Sequence, residues 1–328
     1  MINTQLKLIF VDIPKTGSTA FKWFLTRGFH NFTWQGSSNP SWITDFCKES
    51  DKSKMDATGK TYKITTVRHE PLLSKYINVA GIEKYFIFTI VRDPFERFKS
   101  AFVEAILSLK YSINLKNVSH PNKSNHENLV DSWFINSSQH PQNNYFNVIS
   151  DEEAQVKLIF NQLNITASKG GFERTGLCNT PLHFWPQYNF TSLISPAPLN
   201  LVIVKYENLK KDFPILKEEL SIITGVDVTK EELPHADPMA NGIFHAYNPD
   251  AVDTIGYKFS FEHEISKQPH KDPQFAKKYP TFSDFLVKYK EDKQQIIDHW
   301  LPTLEANRGL IEHLYAEDYR LYEYTRKS

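Results

Sequence analysis

The sequence predicts an α/β domain built on a parallel sheet. Three observations predict it: short apolar, β-branched runs that end at a proline or polar turn, helical periodicity directly after them, and runs that are apolar on both faces. A strand apolar on both faces belongs in a parallel sheet, because the crossover helices of such a sheet cover both of its sides.

Residues 6–13 (LKLIFVDI) read as the first strand, ended by Pro14. The segment PKTGST follows, and then a helix in which Phe21, Phe24, Leu25 and Gly28 share one face, with Ser18 or Thr19 as N-cap. A second strand is expected at 62–67 and a third at 85–91 (YFIFTIV), the third running into Arg92-Asp93-Pro94 and a helix over 95–109. A fourth strand at 199–204 (LNLVIV) precedes a helix over 207–223 that stops near Gly225. The stretch 284–324 reads as helical, interrupted at Pro302. Two segments break the alternation: 112–147, polar with an apolar island that reads as one helix, and 234–280, without periodicity. Long irregular segments of this kind inside a compact domain are functional loops or disordered. The chain is therefore read as a single domain over 1–328 with insertions at 112–147 and 234–280.

Composition narrows the function classes. With 328 residues, 40% of them hydrophobic, the chain has ample material for a core. Lys plus Arg and Asp plus Glu balance at 38 each, so no bulk field draws the protein to nucleic acid or an anionic membrane. Any anion site must be local. Two cysteines, Cys47 and Cys178, allow one bridge or two thiols but no disulfide framework. The first apolar run, about five residues long, is too short for a signal core or a membrane span. A soluble, cytoplasmic protein is expected; the six Asn-x-Ser/Thr sequons, from Asn31 to Asn189, acquire meaning only with secretion.

The loop Pro14-Lys15-Thr16-Gly17-Ser18-Thr19 carries the most chemistry. Between a strand end and a helix start, backbone N–H groups and the positive end of the helix dipole favour a phosphate. Gly17 permits close approach of a ligand, Ser18 and Thr19 add hydroxyl donors, and Lys15 adds a full charge. An ordinary βα turn with a surface lysine is the plainer alternative. The order of residues is not that of a Walker A loop, in which the lysine follows the second glycine. Here Lys15 precedes the only glycine.

The segment VRDPFERFKSAF repeats the logic at the next strand end. Arg92 emerges from a buried strand, where its guanidinium can fork onto a phosphate. Pro94 suits the first turn of the helix that follows, and Ser100 lies two turns into it. The plainer alternative pairs Arg92 with Asp93 or Glu96.

Together, PKTGST and VRDPFERFKSAF resemble the two nucleotide-binding motifs of sulfotransferases that use 3'-phosphoadenosine 5'-phosphosulfate (PAPS). The wording IPKTGST and VRDP is similar to that of the carbohydrate sulfotransferases of family 2, the group with the heparan and uronyl 2-O-sulfotransferases. By this resemblance Lys15, Thr16, Gly17, Ser18 and Thr19 hold the 5'-phosphosulfate, and Arg92 and Ser100 hold the 3'-phosphate. It implies a P-loop-like three-layer fold with a central parallel sheet flanked by helices. It also implies PAPS-dependent, metal-independent transfer to a hydroxyl, of a carbohydrate or alternatively of a protein tyrosine. Later landmarks, HFWPQ at 183–187, VKYENLKKDF at 204–213 and YAEDYRLY at 315–322, fit the same family. Matching spans 6–110, 178–223 and 310–324, about half the chain. No anchor segment is seen, so the Golgi address of the animal relatives is not supported.

The reaction needs a base, and His69 is the candidate. It follows the second expected strand, 23 residues before Arg92, near where the 2-O-sulfotransferases carry a catalytic histidine. Its imidazole is matched to proton abstraction at neutral pH. The plainer alternative is a helix cap, and Glu104 or His183 is the fallback base. His235, His245, His263 and His270 lack metal-ligand spacing, so no metal is expected. Rival readings are a nucleotide or small-molecule kinase on a similar fold, and a non-catalytic nucleotide- or glycan-binding relative.

Overall fold

The structure is a computed structural model describing residues 2–3, 6–18, 20–21, 24–25, 81–112, 152–172, 182–192, 201–233, 237, 240, 243–244, 248 and 273–326. The expected second strand at 62–67, His69, Thr19 and most of the two insertions lie outside the described residues.

Among the described residues four strands form one sheet, in the order β1 (Ile2–Asn3), β2 (Leu8–Val11), β3 (Phe86–Val91) and β4 (Leu201–Lys205). β2, β3 and β4 are parallel, with Phe10 opposite Phe88 and Phe88 opposite Val202. β1, which the sequence pattern did not predict, pairs antiparallel with β2. The helices are α1 (Pro94–Ser112), α2 (Glu152–Ser168), α3 (Tyr188–Thr191), α4 (Leu209–Thr224), α5 (Pro273–Lys278), α6 (Phe282–Ala306), α7 (Arg308–Leu314) and α8 (Ala316–Leu321). A further helix begins at Ser18, where the N–H groups of Ala20 and Phe21 donate to the Gly17 carbonyl. The described residues are thus mixed α/β, with three parallel strands in a small sheet and mostly helix.

Two compact units divide it, one spanning Met1–Asp93, Pro186–His235 and Arg320–Tyr324, the other Pro94–Trp185, Ala236–Tyr319 and Thr325–Ser328. The first holds the sheet. Alternation along β2 and β3 puts Leu8, Phe10, Phe88 and Ile90 on one face. They are buried there with Phe21 and Phe24 of the first helix and Phe213, Leu216 and Leu220 of α4. Phe24 and Phe213 meet edge-on at 4.9 Å, and Phe10 lies 5.1 Å from Phe88. Each buried phenyl contributes about 2–3 kcal/mol through area removed from water. Ile9, Val11, Ile87 and Val91 on the opposite face are also fully buried, as two-faced apolar strands should be. β4 departs from that expectation: Val202 is 37% and Ile203 41% exposed. It pairs with β3 on one side only among the described strands, so its apolar run does not become two-sided burial.

The second unit is helical. Phe95, Phe98, Phe102 and Ile106 follow helical spacing along α1 and are buried, Phe98 5.2 Å from Phe184 and 6.0 Å from Tyr315. α7 packs on α1 and α2. Two corrections concern this unit. α2, unassigned at the sequence level, has buried Val156, Ile159, Phe160 and Leu163 at i, i+3, i+4 and i+7. α6 runs through Pro302 to Ala306 instead of breaking there, because Leu304 is fully buried and Asn307 closes the last turn on Thr303 and Leu304.

Candidate functional site

Parallel strands deliver their carboxyl ends to one edge, where open α/β sheets place ligands. In the first unit β2 ends in the loop 12–17, β3 in Arg92-Asp93 and β4 in Tyr206-Glu207, so register alone assembles three sequence-distant segments. Thr89 ties two of these ends together, donating its buried hydroxyl to Val11 O at 2.8 Å.

The loop is held in an unusual conformation. Lys15 has φ 68° and Gly17 φ 81°, both in the left-handed region. A lysine there stores backbone strain, which persists only where surrounding contacts over-determine it. Thr16 is fully buried and donates its hydroxyl to Ile13 O at 2.9 Å, closing the turn. Its hydroxyl proton is thereby committed inside the loop. Ser18 is 2% exposed at the first turn of the helix.

Arg92 is half-buried at the end of β3, and its Nη1 donates to Lys15 O at 3.4 Å. Its guanidinium lies 4.8 Å from the centre of the Tyr206 ring. The same ring crowds Gly17, where an added Cβ would meet Tyr206 Cε2 at 2.8 Å. Lys15, Gly17, Arg92 and Tyr206 thus form one cluster bearing two cationic side chains. Among the described residues Arg92 makes no ion pair with Asp93 or Glu96. Glu96 pairs with Lys99 at 2.6 Å, and Asp93 uses its N–H to donate to Glu207 Oε1 at 2.8 Å. The other oxygen of Glu207 accepts from Tyr324 OH at 2.7 Å. Burial, then that bond to a carboxylate, pushes the Tyr324 phenol well above its ordinary range.

Beneath the cluster lies a residue to which the sequence pattern assigned no task. Gln187 is fully buried; its Oε1 accepts from Arg92 N–H and its Nε2 donates to Arg92 O, both at 2.8 Å. Gln187 and Tyr206 stand in the landmark segments HFWPQ and VKYENL, and proximity to the strand end was the missing signal for each.

The other expected residues that the structure describes belong to the second unit. Ser100 is half-buried on α1, within the second unit. Arg97 is fully buried, donates to His183 O at 3.1 Å and to Trp185 O, and lies 5.7 Å from the Tyr315 ring centre. Glu104 and His183, the fallback bases, are half-buried in the second unit.

The sulfotransferase family model matches residues 1–255, a span that contains the loop, Arg92, Gln187 and Tyr206 and exceeds half the chain. The chain belongs to the sulfotransferase family. Within a sulfotransferase the general chemistry is sulfuryl transfer to a hydroxyl-bearing acceptor. Comparison with curated proteins and with solved structures returned no match. No described helix of this sulfotransferase is long and apolar enough to cross a membrane.

Proposed function

We propose that this sulfotransferase takes its sulfuryl group from PAPS and delivers it to a carbohydrate hydroxyl. The observation that carries the reading is the meeting of Lys15 and Arg92, from motifs 77 residues apart, at the carboxyl ends of adjacent parallel strands. Two cations on one strand edge suit a nucleotide phosphorylated at both ends. Lys15, Thr16, Gly17, Ser18 and Thr19 would hold the 5'-phosphosulfate, and Arg92 with Ser100 the 3'-phosphate. Gly17, with no Cβ, leaves the ligand's approach to the loop open where a side chain would strike Tyr206. The strand, loop and helix at 8–25 are the unit from which a P-loop-like three-layer fold is built.

In the transfer, the acceptor oxygen forms a bond to sulfur as the bond from sulfur to the bridging phosphate oxygen breaks. The electron pair leaves on that oxygen, and Lys15 stabilises the charge as it develops. The acceptor proton goes to a base, for which His69 is proposed. Holding the nucleotide at both ends keeps the sulfuryl in line with the acceptor.

Labelled PAPS, offered with glycans, phenols and tyrosine peptides in the presence of EDTA, tests the reading. Label is expected on a glycan, and the rate is expected to survive EDTA. Label on a peptide would move the acceptor to protein tyrosine. Metal-dependent transfer of phosphate from ATP, with none from PAPS, would replace the reading with a kinase.

A further inference from the structure

We propose that Gln187 is a positioning residue for the nucleotide, acting through the Arg92 backbone. The inference rests on the reading of Arg92 as a 3'-phosphate ligand. At the end of β3 the chain leaves the ladder: the last described pair of β3 with β4 is Val91 with Lys205. Arg92 thus has a backbone N–H and C=O just past the sheet. The Gln187 amide takes both at 2.8 Å, as a neighbouring strand would, and does so from full burial. A side-chain amide offers an acceptor and a donor side by side at every pH, where a carboxyl does so only when protonated; only Asn and Gln carry it. A buried group that made one bond and missed the other would leave an unsatisfied partner, so the pair specifies one orientation of residue 92.

That orientation has a consequence. With the backbone fixed, the Arg92 side chain starts from a defined direction and reaches Lys15 O at 3.4 Å and the Tyr206 ring face at 4.8 Å. Glu207 fixes the next peptide by accepting from Asp93 N–H at 2.8 Å. The guanidinium is therefore aimed before any ligand arrives, and a pre-aimed group gives up less freedom on binding. Removing the amide would leave the charge of Arg92 in place but release its direction.

The test compares affinities for 3',5'-bisphosphoadenosine and 5'-AMP, whose ratio isolates the 3'-phosphate. Wild-type protein is expected to prefer the bisphosphate by about ten- to a hundredfold, the worth of a charge-assisted clamp. Equal wild-type affinities would overturn the reading of Arg92 itself, and Gln187 with it. Gln187→Met keeps length and shape but neither bond. It is expected to lower the preference about tenfold while 5'-AMP affinity and the KM for the acceptor stay near wild type. Gln187→Glu supplies the second arm, and decides alone if the methionine variant does not fold. Ionised, the carboxylate can accept from Arg92 N–H but cannot donate to Arg92 O; protonated, it can do both. Burial raises its pKa. Its preference, divided by the wild-type preference at the same pH, is expected to fall as pH rises and to recover on acidification. A wild-type protein that discriminates, with variants that discriminate equally well at every pH, would overturn the proposal and leave the Arg92 reading standing.

Discussion

Gly17 and Lys15 share one loop and one backbone region, yet they differ in what substitution does. Alanine at 17 must adopt a φ of 81° with its Cβ 2.8 Å from the Tyr206 ring. The backbone alone costs about 1 kcal/mol. Gly17→Ala is expected to lower the melting temperature and to weaken bisphosphate binding, since Tyr206 and the overlying Arg92 must shift; calorimetry checks both. Lys15 already bears the strain of φ 68°, so glycine there should relieve it. Lys15→Gly is expected to be more stable than Lys15→Ala by about 0.5–1 kcal/mol. Both variants should lose far more kcat than affinity for the desulfated product, because the lysine charge matters most as the leaving oxygen develops. Denaturant melts beside single-turnover rates separate strain from chemistry. A raised KM with unchanged kcat would make Lys15 a binding residue only.

At the scale of elements, α6 shows how local and tertiary signals divide. Its start is written in the sequence: Thr281 accepts from Asp284 N–H at 3.2 Å, and Asp284 accepts from Thr281 N–H at 3.1 Å, a reciprocal capping box. Thr281→Ala is expected to cost about 1 kcal/mol, read as a lower denaturant midpoint with an unchanged slope. Its end was misread, since Pro302 removes one ladder bond, a penalty of about 3 kcal/mol that ordinarily stops a helix. Burial of Leu304 two residues later offsets it. α2 went unassigned although Val156, Ile159, Phe160 and Leu163 stand at i, i+3, i+4 and i+7. The exposed middle of β4 was not legible, because an apolar run does not say how many neighbours its strand will have.

Across the molecule, one carboxylate links α1 to α6 in the second unit. Asp292 is 2% exposed, and it receives Lys288 at 2.8 Å, Lys110 at 2.9 Å and Tyr111 OH at 2.7 Å. Burial alone would raise its pKa, but the bonds from Lys288, Lys110 and Tyr111 outweigh that and hold it below the ordinary carboxylate value. A carboxyl depressed in the folded state contributes stability that is full above its unfolded pKa of about 3.9 and is lost as pH falls through the folded value. Asp292→Asn is expected to destabilise at neutral pH, with the gap to wild type closing below about pH 4. Denaturant midpoints between pH 3 and 7 would show it, and a gap that stayed constant to pH 3 would remove Asp292 from the acid response.

The sequence by itself determined the pieces whose cause is local. Apolar, β-branched runs made β2 and β3, Gly17 made the loop possible, Pro94 and Gly225 marked a helix start and a helix end, and the wording of two motifs named the family. Only the tertiary structure decided which residues meet. Parallel register carried Arg92 to Lys15 and Tyr206 to Gly17, burial brought Arg97 to the His183 carbonyl, and Gln187 found its partner 95 residues away. The physical reason is the range of the forces involved. Propensity and periodicity act over a few neighbouring residues, whereas a hydrogen bond or ring contact between distant residues depends on the packing of the whole core.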